Sequence, residues 1–183
     1  MDKRAMWNEM ISVIKQDVTP ATGCTEPIAL AYAAATAARE LGEPVRFVDG
    51  WVSANLMKNG MGVTVPGTGM PGLYIAAAVG ALGGDADAGL QVLKALTPDV
   101  VALGKQYVAD GKITVSVRED TPHVLYAEAV VYGENHRVRV VITDDHTAVP
   151  EQWDRSPPVL DASAIVVVDH IFLADILEPV SVE

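Results

Sequence analysis

One cysteine, Cys24, is all the thiol that this 183-residue chain contains. That excludes an internal disulfide framework and any CxxC metal or redox motif, and it points to a reducing cytoplasm. Aromatic residues are scarce at 5%. The core must therefore be filled by small aliphatic side chains, which lets alanine-rich helices approach closely. Positive charge is also scarce, with 13 Lys and Arg against 24 Asp and Glu for a net charge of −11. With no Lys/Arg stripe, a phosphate backbone would be repelled, so no nucleic-acid partner is expected. The same acidity argues against an anionic membrane surface. The opening MDKRAMWNEM carries no apolar signal core. The apolar stretch 73–82 is too short and glycine-rich to span a bilayer. HExxH, GxSxG and Walker A patterns are absent, and no dinucleotide fingerprint is read as following a strand and opening a helix.

What remains is an apolar chain, 50% hydrophobic by residue, of a length suited to one compact domain or at most two small ones. Apolar residues at Met6, Met10, Ile11, Val13 and Ile14 predict a short amphipathic helix over 7–15, stopped at Thr19-Pro20. A second helix, 27–41, has Pro27 in its first turn and Gly42 as its C-terminal cap. It is apolar almost all round, which predicts burial. A strand is expected over 45–54, and then 55–72, dense in glycine and proline, reads as an ordered irregular loop. Helices are predicted over 73–82, 87–96 and 98–109, and strands over 112–118, 124–132 and 137–143, with the turn at Gly133–Asn135. The resulting class is α+β: buried Ala-rich helices followed by an antiparallel meander of about three strands. The domain is expected over 1–150. Residues 151–183 form a divergent tail, expected to be partly disordered or partner-dependent.

Cys24 carries the first chemical signal. A thiol at a helix start meets unsatisfied amides and a positive dipole end, which favour the thiolate as nucleophile or ligand. A buried cysteine serving as a small hydrophobe is the equal alternative. Glu26 is a possible acid or base, but a first-turn carboxylate is more often ordinary dipole chemistry. Between Ser53 and Thr68, donors alternate with glycine. Asn55, Lys58 and Asn59 can meet an amino acid or carboxylate, and Gly67 and Thr68 add amides and a hydroxyl. Among the four histidines, His146 in DDHT at a strand end is the best placed for acid–base work, and His123, His136 and His170 read as structural.

Three ordered stretches, GCTEPIALAYAAA (23–35), VSANLMKNGMGVTVPGTGMPG (52–72) and AAAVGALGGDADAGLQVLKALTP (76–98), resemble the L-cysteine desulfidase family. That family is related to the alpha chain of iron–sulfur L-serine dehydratases. The likeness runs from about residue 7 to residue 147. It implies a 4Fe–4S lyase that eliminates sulfide or water from L-cysteine or L-serine, leaving pyruvate and ammonia. Under this resemblance Cys24 matches the first cluster ligand, Ser53, Asn55, Asn59, Gly67 and Thr68 match substrate-binding positions, and Lys58 and His146 are the candidate bases. Asp145, before His146, and Ala148-Val149, after it, depart from the family pattern. The other cluster cysteines belong to a C-terminal half for which this chain has no counterpart, and one thiolate cannot hold a cubane. The expected partners are accordingly a small amino acid and a second chain supplying that half, or further copies of this one. A non-catalytic amino-acid-binding or assembly module that has lost the cluster is the alternative, and a thiol enzyme with Cys24 as nucleophile is a weaker third.

Overall fold

The computed structural model describes residues 3–17, 21–143 and 163–168. Its elements run α1 (Lys3–Asp17), α2 (Thr25–Leu41), β1 (Phe47–Val52), α3 (Ala54–Gly60), β2 (Thr64–Val65), β3 (Met70–Pro71) and α4 (Leu73–Gly83). A 3-10 segment (Ala86–Gln91) follows, then α5 (Pro98–Ala109), β4 (Ile113–Val117), β5 (Tyr126–Tyr132), β6 (Arg137–Thr143) and β7 (Ser163–Val168). The expected α+β class holds.

The helix α2 is the central pillar. Every residue from Pro27 to Ala37 is buried, as a helix apolar on all faces requires. It is closed by Gly42 in the left-handed conformation (φ 68°), whose amide returns to Ala38 O. Beside it runs α4, and the approach is set by Gly80. A Cβ built there would stand 2.3 Å from Ala31 O, so only a residue without a side chain permits this crossing. The scarcity of aromatics thus becomes close backbone packing.

One face of a five-stranded sheet, ordered β4-β1-β5-β6-β7, receives this helical layer. Val48, Val52, Ala127, Ala129, Val131, Val138, Val140 and Ile142 all belong to the shared core, at the alternate positions a period-two strand demands. The expected meander is corrected in one respect. The second and third strands do form an antiparallel hairpin, β5–β6. The first, β4, does not adjoin them, because β1 lies between, parallel to β4 and antiparallel to β5. Burying β1 on both edges satisfies its backbone, and local alternation carries no information on such long-range order. Most of the 151–183 tail, and the boundary before it, lie outside the described residues. Its β7 pairs in parallel with β6.

Two further expectations are corrected. Residues 55–72 are not irregular: they contain α3 and the β2–β3 hairpin. Residues 87–96 are not an α-helix. Gly89, at φ 52° and ψ −125°, breaks that stretch into 3-10 and turn structure. The amphipathic helix is present as α1, with Trp7, Met10, Ile11, Val13 and Ile14 all exposed.

Candidate functional site

The segment before α2 and the helix α3 meet at one place. Cys24 is the N-cap of α2, in extended conformation (φ −69°, ψ 133°), and its side chain makes no capping bond. The exposed thiol instead donates to Glu26 Oε2 at 2.8 Å. The other carboxylate oxygen, Oε1, accepts from Asn59 Nδ2 at 3.3 Å. Glu26 therefore bridges the start of α2 to α3. Gly23, at φ 97°, lets Pro66 approach so closely that a Cβ at Gly23 would lie 2.6 Å from Pro66 Cγ. The turn containing Gly67 is thereby pinned against the Cys24 segment.

This arrangement corrects the expectation of an activated thiolate. The Cys24 thiol is pushed up, first by its hydrogen bond to the Glu26 carboxylate and then by partial burial and the negative charge of Glu26. Its bonds to local amides act the other way but are outweighed. The positive helix terminus is answered by the carboxylate two residues on.

The three donors read from the sequence share one face of α3. Asn55, Lys58 and Asn59 stand at i, i+3 and i+4, and all three are exposed. Leu56 and Gly60 form the buried side, where Gly60 admits Leu73 at the start of α4. The bond from Asn59 to Glu26 turns the polar face toward Cys24. Ser53 is buried and holds this helix in place, since its Oγ accepts from Leu56 N at 3.2 Å and donates to Val124 O at 2.6 Å. Thr68 is equally committed. Its Oγ1 lies 2.8 Å from Val65 O and accepts from Met70 N at 3.0 Å, closing the β2–β3 turn. Of the predicted residues, Cys24, Asn59 and the Gly67 turn are thus brought together. Asn55 and Lys58 share the face of Asn59, and Ser53 and Thr68 shape the backbone beneath. His146 lies outside the described residues. Glu26 gains a central place that the sequence reading gave to helix-dipole chemistry. The available signal was its position two residues after the only cysteine.

The stretch Gly67-Thr68-Gly69-Met70-Pro71-Gly72 does have the GxGxxG spacing and does open α4, contrary to the sequence reading. It is nevertheless not a dinucleotide fold, because β2 and β3 form a separate two-residue antiparallel hairpin outside the main sheet.

Comparison with known proteins gives the chain relatives. The chain is 62% identical over 144 residues to a UPF0597 protein of Chromobacterium violaceum, covering 79% of this chain and 33% of that protein. It is 46% identical over 182 residues to the UPF0597 protein YhaM of Salmonella heidelberg and to that of Salmonella typhimurium, covering 94% of this chain and 42% of each. These relatives are named UPF0597 proteins. That name states a family and no activity, and the chain spans about a third to two fifths of the relatives' length. No family model matches the chain, and no solved structure gives a significant match.

A cluster of the kind the desulfidase resemblance implies does not fit the residues present. The chain has one cysteine, and among the described residues no group of three or more His, Cys, Asp and Glu could hold a metal ion. A cubane needs three or four protein ligands. Nor is any helix among the described residues long and apolar enough to cross a membrane.

Proposed function

We propose that this chain is the amino-acid-binding, N-terminal part of an iron–sulfur-dependent L-cysteine desulfidase or L-serine dehydratase-like lyase of the cytoplasm. The observation that carries the reading is the convergence of Cys24, Glu26, Asn59 and the Pro66-Gly67 turn, drawn from two of the three stretches that resemble the desulfidases. In the elimination, a base takes the Cα proton and the electron pair moves to form the Cα=Cβ bond. The C–S bond breaks with its electrons on sulfur. The aminoacrylate so released tautomerises to an imine, which water hydrolyses to pyruvate and ammonium. Lys58 is the candidate base among the described residues, and His146 the candidate outside them. Cys24 would be one ligand of a cluster whose other ligands come from outside this chain. On this reading the residues present would bind the amino acid, while one cysteine does not assemble that cluster.

The test is anaerobic reconstitution with iron and sulfide. The 183-residue chain alone should gain no brown iron–sulfur absorbance. Adding the part of the Chromobacterium violaceum relative that lies outside the match should produce it, together with sulfide and pyruvate from L-cysteine. Neither cluster nor sulfide in the combined sample would reject the lyase reading. The single thiol also favours a second reading, an amino-acid-binding or assembly module without turnover, which predicts that L-cysteine binds and that the combined sample stays inactive.

A further inference from the structure

We propose that Glu26 is the specificity-determining residue of this site, receiving the α-ammonium of the amino acid. The inference deepens the amino-acid lyase reading and rests on it. Beside Lys58, the candidate base, the exposed groups brought to the site by α3 are the amides of Asn55 and Asn59. These suit a carboxylate. An α-ammonium brings three N–H donors and a full positive charge, which an amide carbonyl meets only weakly. The carboxylate of this cluster is Glu26, which already faces α3. Its bond from Asn59 is 3.3 Å long, beyond the usual range for N–H···O, and a charge-assisted ammonium contact is shorter and stronger. Substrate ammonium would therefore displace Asn59 from Oε1, leaving the amide to turn toward the substrate carboxylate. One site then reads both charges of an α-amino acid, positive against Glu26 and negative against the amides of Asn55 and Asn59. A thiol acid without an amino group lacks the first contact.

Calorimetric titration of the 183-residue chain under reducing conditions tests this, with L-cysteine and 3-mercaptopropionate as probes. L-cysteine should bind about tenfold to a hundredfold more tightly than 3-mercaptopropionate, the ratio expected for one charge-assisted hydrogen bond. Glu26→Gln should weaken L-cysteine by a similar factor and leave 3-mercaptopropionate within about twofold. Equal binding of the two probes by the native chain, or unchanged L-cysteine binding in Glu26→Gln, overturns the role of Glu26 while the amino-acid site stands. No heat with either probe overturns the site itself, and this inference with it. If circular dichroism shows that Glu26→Gln does not fold, the two probes on the native chain decide.

Discussion

A thiol two residues from a carboxylate behaves differently from a thiol at a bare helix end. Both environments are present at Cys24, and their signs oppose one another. The dipole favours the anion by a fraction of a kcal/mol to about 1 kcal/mol at an exposed terminus. The Glu26 carboxylate, accepting the thiol proton at 2.8 Å, favours the neutral form and prevails. Iodoacetamide should accordingly alkylate Cys24 more slowly than free cysteine at pH 8. Glu26→Gln should speed that alkylation severalfold, since the charge that opposes the thiolate is gone. Mass spectrometry of timed samples gives both rates, and a slower reaction in the variant would contradict the assignment. The presence of Cys24 at a helix start was legible from Gly23 and Pro27. The sign of its perturbation was not, because it depends on which rotamer of Glu26 the fold selects.

At the scale of the element, the crossing of α2 and α4 is set by a single missing side chain. In an isolated helix Gly→Ala is stabilising by about 1 kcal/mol. At Gly80 the added methyl would meet backbone atoms of Ala31 at 2.3 to 2.9 Å, and backbone cannot rotate away. Gly80→Ala should therefore lower stability by about 1–3 kcal/mol, against the intrinsic propensity. Denaturant unfolding measures this as a lower midpoint, and a stabilised variant would show that the helices are free to separate. The same scale explains the short helix α3. Its seven residues include Gly60 and two asparagines, poor helix formers, so propensity reads them as loop. The capping bond from Ser53 and the burial of Leu56 override that preference.

At the scale of the whole molecule, a buried charge cluster on β5 links the end of β4, β5 and β6 among the described residues. Glu128 is 2% exposed and is held by Arg118 Nη2 at 2.6 Å, by Arg139 Nη2 at 2.9 Å and by the Tyr126 hydroxyl. Burial works to raise its pKa, but the bonds from Arg139, Tyr126 and Arg118 outweigh it and hold the carboxyl below the usual range. A carboxylate depressed in the folded state stabilises above its unfolded pKa of about 4.3, and that contribution is lost as pH falls through the folded value. Burial, with the hydrogen bond to Glu128, pushes Tyr126 up to about 12. Its contribution is full below about pH 10 and is lost as pH rises toward about 12. The thermal midpoint should thus fall on both sides, below about pH 4 and above about pH 10. Glu128→Gln should flatten the acid limb and cost about 2 kcal/mol at pH 7. That is less than a fully buried pair would cost, because both arginines keep contact with solvent. An unchanged acid limb in Glu128→Gln would assign the transition to other carboxylates.

The sequence alone determined what depends on neighbours along the chain: a buried α2 from its unbroken apolar surface, α5 from Thr97-Pro98, and the β5–β6 hairpin from alternation around Gly133–Asn135. Tertiary structure decided what depends on residues distant in sequence. It set β1 between β4 and β5, since strand order follows from which edges can be satisfied together and not from local pattern. It also joined Glu26 to Asn59, 33 positions apart, and so made a first-turn carboxylate the centre of the site. Periodicity reports which face of an element is apolar. Only packing reports what the polar face meets.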